Sequence, residues 1–157
     1  MNHRSVGLLV ILGGLFALGL AYWAQYVRGL VPCELCLWER WPYRVVIVLG
    51  VCAFLSRPPT ARVMLGLGVC ALLAGVFIAG LHVGVEFHWW RSPLPECNGI
   101  LSPGAPLPMV PARPCDAPVY LMSALPLSMA AMDLIYEAGF ALALATYVSK
   151  KPRRFIR

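Results

Sequence analysis

The chain has 157 residues, of which 60% are hydrophobic and only 13% charged, a balance that excludes an ordinary soluble domain of this length. A formal charge of +6 is compatible with nucleic-acid binding, but no recognition motif accompanies it. The apolar residues fall in blocks too long for buried core helices, so the chain reads as an all-α integral membrane protein.

No charged residue lies between Arg4 and Arg28. The first span is placed at about 6–27, enough helix to cross roughly 30 Å of hydrocarbon. This run is longer than a usual signal-peptide core, which favours a retained helix. A short outer loop, about 28–36, carries Cys33 and Cys36. The second span is placed at 37–56. Its uncharged part, Val45 to Ser56, is only 12 residues, or about 18 Å of helix. The span must therefore take in Arg40, Pro42 and Arg44, with a kink at Pro42. The third span, about 63–85, is interrupted only by His82. A long outer loop, about 86–125, holds eight prolines between Pro93 and Pro118 and carries Cys97 and Cys115. It is expected to be extended or turn-rich, and mobile. The fourth span, about 126–149, contains Asp133 and Glu137. The expected architecture is a single membrane domain, residues 1–157: a four-helix transmembrane bundle with two outward loops.

Lysine and arginine set the orientation. The side shared by both termini and the Ser56–Arg62 turn holds Arg4, Arg57, Arg62, Lys150, Lys151, Arg153, Arg154 and Arg157, with no acid. The other side mixes Arg28, Arg40, Arg44, Arg91 and Arg113 with five carboxylates. Both termini are therefore expected in the cytoplasm and both loops outside. The basic tail fixes topology and touches lipid headgroups. Trp23, Trp38, Trp41, Trp89 and Trp90 gather at the outer ends, as an interfacial belt does. Glycines of the first and third spans (Gly7, Gly13, Gly14, Gly19, Gly75, Gly80 and Gly84) permit close helix packing.

Cys52 and Cys70 lie within spans and read as small apolar residues. The other four cysteines lie on the oxidising face and imply disulfides, either structural staples or redox pairs. A C-x-x-C disulfide closes a very small loop and stabilises weakly, whereas that spacing suits thiol exchange. Leu37 follows Cys36, so the C-x-x-C-H haem signature is absent. Cys97 and Cys115 do not form a second zinc knuckle, and no metal site is expected. Cys36 at a helix start, with Arg40 one turn on, is expected to have a lowered pKa.

The segments PCELCLWER, GLHVGVE and CDAPVYLMSALPLSMA resemble the disulfide bond formation protein B (DsbB) family over nearly the whole chain. The resemblance implies a bacterial inner-membrane thiol oxidase that recharges a periplasmic thioredoxin-fold oxidase, DsbA-like, and passes electrons to a membrane quinone, ubiquinone or menaquinone. It implies catalytic roles for Cys33, Cys36, Cys97 and Cys115. Cys97 would form the mixed disulfide with the partner and Cys115 would be released. Cys33 would exchange with the loop pair, and Cys36 would face the quinone beside Arg40. Glu86, His82 and His88 are placed on the quinone side as well. Here the chain departs from the family, which often has a histidine directly after the glutamate ending the third span. Phe87 stands there, and His88 comes next. A monomer is expected. The competing reading is a non-catalytic four-helix scaffold with structural disulfides.

Asp133 and Glu137 share a helix face, and intramembrane carboxylates suggest function. Arg44 and Asp133 are each seven residues from the start of their spans, which predicts an Arg44–Asp133 ion pair. Glu137 lies deeper, with a proton-relay role as the sharper reading.

Overall fold

The computed structural model describes residues 2–94, 97, 114–121 and 126–150. The basic tail and most of the proline-rich loop, including Pro95 and Pro103 to Pro111, lie outside the described residues. Five helices follow in chain order: α1 His3–Tyr26, α2 Glu34–Trp38, α3 Arg40–Leu55, α4 Pro58–Glu86 and α5 Met129–Ser149. Among the described residues the only β pairing is an isolated antiparallel bridge, Tyr120 to Ser128.

The ends of these helices have local causes. Pro58 and Pro59 open α4, where the missing N–H groups have no intrahelical partner to lose. Ser128 caps α5, its Oγ accepting from the Ala131 N–H at 3.2 Å. Between α2 and α3 the helix is interrupted at Glu39, whose backbone stays right-handed helical (φ −59°, ψ −21°). The interruption puts Pro42 third in α3, inside the first turn, whose N–H groups are unpaired in any helix. The disturbance expected at Pro42 is thus an interruption three residues earlier, at Glu39.

Helices α1, α4 and α5, with 24, 29 and 21 residues, are long and apolar enough to cross a membrane. Helix α3 has 16 residues, about 24 Å of rise. Helix α1 packs on α3, α3 on α4, and α4 on α5. Tyr136 of α5 donates back to the Gly13 carbonyl of α1 at 2.9 Å. The packed interior is made by Val6, Val10, Val46, Ala53, Leu65, Leu72 and Leu144. The outward faces are equally apolar: Phe16, Leu55, Phe77, Ile135 and Leu142 are all exposed, as expected of helices whose outer solvent is lipid. Cys52 and Cys70 belong to this outer surface and are not buried as the sequence suggested.

Close packing by glycine holds at some positions only. A Cβ on Gly7 would meet the Gly50 carbonyl oxygen at 3.0 Å and the Phe54 backbone nitrogen at 3.1 Å. Backbone cannot yield as a side chain can, so Gly7→Leu is expected to destabilise the α1–α3 contact by about 1–3 kcal/mol, measured by thermal or denaturant unfolding in detergent. Gly19 and Gly80 face open space, and alanine there should be neutral.

Candidate redox site

Four cysteines meet at one end of the helices. Cys33 is the N-cap of α2, in an extended conformation, and its Sγ accepts the Cys36 N–H at 3.3 Å. Cys97 and Cys115 are joined by a disulfide. Both belong to one buried cluster with Cys33, Leu35 and Val85, against which Cys36, Leu81 and Leu94 pack. Cys33 and Cys36 are not bonded to each other.

This geometry reverses the expected thiolate. The Cys33 thiol is held below its ordinary value, first by a hydrogen bond from the Cys36 side chain and also by the Cys36 backbone N–H, against the penalty of burial. The Cys36 thiol is pushed up, because it donates to Cys33, is buried and faces negative charge. A cap position aims free N–H groups at its own sulfur, so Cys33 rather than Cys36 receives them. Arg40 does not turn to Cys36 as expected. It donates to Gln25 Oε1 at 2.8 Å and lies 4.9 Å over the Tyr22 ring. In the dithiol form the thiolate is therefore expected on Cys33 below the ordinary thiol range near 8.5. Removing the donor with Cys36→Ala should shift the Cys33 midpoint upward, read from ultraviolet thiolate absorbance across pH.

Cys36 and Arg40 line a cleft of about 80 Å³ between α1, α3 and α5, together with Gln25, Glu39, Tyr43 and Asp133. Arg40 is buried, and its Nε has no hydrogen-bond partner among the described residues. A buried guanidinium N–H without an acceptor is costly, and an incoming carbonyl oxygen would satisfy it. Arg40 Nε is thus the group in this cleft that a quinone carbonyl would engage.

The other predicted site residues are distributed differently. His82, fully buried, lies beside Cys33, with Nε2 at 3.5 Å from Sγ and Nδ1 donating to Glu39 Oε1 at 2.7 Å. Glu86 accepts from the Ser128 hydroxyl and so ties the end of α4 to the start of α5. His88 stands in the turn after α4 with φ 59°. That turn folds Trp90 back to donate to the Leu81 carbonyl at 3.0 Å, and leaves His88 exposed, 3.8 Å from Asp116. None of these three lines the cleft. The Arg44–Asp133 ion pair does not form. Tyr43 donates to Asp133 Oδ1 at 2.7 Å, and Arg44 donates to the Tyr22 hydroxyl at 3.0 Å. Tyr43, Arg44 and Asp133 share one level of the helices, but one residue is about 100° around a helix, so Tyr43 and not Arg44 meets Asp133. Glu39 was not singled out; its only mark in the sequence is its place between Cys36 and Arg40.

The family model described as Disulfide bond formation protein DsbB matches residues 3–147. The chain belongs to this family. It is 31% identical over 161 residues to Disulfide bond formation protein B of Ralstonia nicotianae, covering 98% of each chain. It is 26% identical over 142 residues to the protein of that name from Acinetobacter baumannii, covering 88% of this chain and 72% of the relative. With the protein of that name from Herminiimonas arsenicoxydans the identity is 31% over 87 residues, about half of each chain (55%). No solved structure matches. DsbB membership gives the chain an oxidoreductase role in disulfide bond formation, in a multi-pass inner-membrane protein.

Proposed function

We propose that this DsbB-family protein is a quinone-dependent thiol oxidase, a single domain whose four spans (within α1, residues 37–56, α4 and α5) hold both termini in the cytoplasm and both loops in the periplasm. It recharges a DsbA-like dithiol oxidase. The observation that carries the reading is the placement of the sulfurs. Cys97–Cys115 lies in the same buried cluster as Cys33, while Cys36 opens on the cleft that holds the unpaired Arg40 Nε.

A thiolate of the reduced partner attacks Cys97 Sγ, the Cys97–Cys115 bond breaks, and Cys115 leaves as a thiolate. The partner's second thiol resolves the mixed disulfide, so the loop pair gains two electrons and two protons. The loop dithiol then attacks Cys33 of a Cys33–Cys36 disulfide, releasing Cys36 toward the cleft, and closes its own disulfide again. A quinone, ubiquinone or menaquinone, supplies the sink, taking two electrons and two protons. Arg40 would hold its carbonyl oxygen and stabilise negative charge there. The energetics require such an acceptor: DsbA sits near about −120 mV, above any glutathione pool.

The test uses purified protein in detergent with reduced DsbA-like partner and a ubiquinone analogue, following quinone absorbance. Wild type should reduce quinone, and Cys36→Ser and Cys97→Ser should both fall to background. If ubiquinone and menaquinone analogues both stay oxidised while the four outer cysteines remain stably disulfide-bonded, the chain is a structural scaffold.

A further inference from the structure

Three buried side chains from three elements form a line: Cys33 from the cap of α2, His82 from α4, and Glu39 from the break between α2 and α3. The Sγ to Nε2 distance is 3.5 Å and the Nδ1 to Oε1 distance is 2.7 Å. Cys33, His82 and Glu39 are respectively 4%, 3% and 7% exposed, so water does not mediate these contacts. Glu39 accepts from Nδ1–H. This fixes the imidazole with Nε2 toward sulfur, the arrangement in which a third group orients an acid–base histidine.

We propose that His82 is the acid–base residue for Cys33 and that Glu39 positions it. This rests on the proposed oxidase function and adds to it the route of one proton. When the Cys33–Cys36 dithiol closes to a disulfide, two electrons and two protons leave. The Cys33 proton passes from Sγ to His82 Nε2, giving a Cys33 thiolate beside an imidazolium that Glu39 stabilises. Cys36 then gives up its own proton as the S–S bond forms and the electron pair passes to the quinone. The proton on His82 leaves with that of Cys36 for the acceptor that takes the electron pair. In the opposite half-cycle, the loop thiol that displaces Cys33 from its mixed disulfide gives its proton to His82, which passes it to the Cys33 thiolate. Cys36 Sγ lies within 4.8 Å of both Cys33 Sγ and the His82 ring, and the Cys36 backbone N–H donates to Cys33 Sγ at 3.3 Å, so the sulfur sits between two donors.

The charged and titratable groups around His82 are Cys33 and Cys36 from α2, Glu39 from the break, Glu86 on its own helix and Asp133 on α5. Any pH profile contains all of them. The test therefore reads Cys33 directly. Protein carrying Cys52→Ser and Cys70→Ser, with Cys97–Cys115 oxidised, is alkylated at Cys33 across pH, alone and with His82→Gln or Glu39→Gln. Partner-driven quinone reduction is measured in parallel. His82→Gln should lower Cys33 alkylation at neutral pH about tenfold, by moving its midpoint upward about one unit. Turnover should fall about 100-fold, the lower range for general acid–base catalysis, with the KM for the partner unchanged. Glu39→Gln keeps an acceptor for Nδ1–H and should show the same shift in smaller measure. Cys33 profiles identical to wild type in both variants overturn the proposal. If the profiles move but wild type reduces no quinone, the relay stands and the oxidase reading falls.

Discussion

Arg40→Met is expected to raise the quinone concentration needed for half-maximal turnover by roughly 10- to 100-fold, while exchange between the loop pair and Cys33 continues. Methionine keeps much of the apolar stem and removes the guanidinium, so the cleft loses a charged hydrogen-bond donor. Such bonds contribute about 1.5–3 kcal/mol, which sets the range. Arg40→Lys should recover little, because a single ammonium cannot serve both Gln25 and a carbonyl in the fork that a guanidinium provides. Gln25→Ala separates the two duties of Arg40: it removes the 2.8 Å tether to α1 but leaves the guanidinium in the cleft, and should have the smaller effect. Quinone titrations of the three variants, with melting curves alongside, decide the matter. Equal half-saturation in Arg40→Met and wild type would show that Arg40 only joins α3 to α1.

A further effect on stability is expected from Gly75→Ala. Glu137 is fully buried, and neither carboxyl oxygen has a hydrogen-bond partner among the described residues. It occupies the notch left by Gly75 on α4, where an added Cβ would lie 1.8 Å from Oε1. The carboxyl end of Glu137 must leave this notch for another buried position, at a cost of about 1–3 kcal/mol. Glu137→Ala empties the same space. In that background Gly75→Ala should be nearly neutral, and the double-mutant cycle should show coupling of about the whole single-variant penalty. Additive effects would mean the two residues do not share the notch.

The sequence made the long helices plain, because a membrane span declares itself by what it lacks. Arg4 to Arg28 and Arg62 to Glu86 bracket α1 and α4 closely. The break at Glu39 was less legible. Pro42 signalled a disturbance, but a helix can absorb a proline by restarting before it. Cys33 and Cys36 stood out by spacing, yet which sulfur holds the negative charge depends on a cap conformation one residue wide. His82 and His88 looked equivalent in composition. A single left-handed residue at the end of α4 sends His88 to the surface, while His82 remains one turn inside. Tyr43 and Arg44 are neighbours in sequence and face different helices, which no depth count can distinguish. Glu39 had no motif of its own, and only folding brings it onto His82.

The Cys97–Cys115 bond is almost wholly enclosed, at 4% and 1% exposure, against the cluster that holds Cys33. In electrical terms the junction is insulated. A small stray thiol diffusing past meets packed side chains rather than sulfur, so the charge stored in the loop is not drained by a short circuit. Under the proposed function, the DsbA-like partner would first have to uncover Cys97, and its binding surface would then act as the switch. The oxidising power is released by recognition, not by collision.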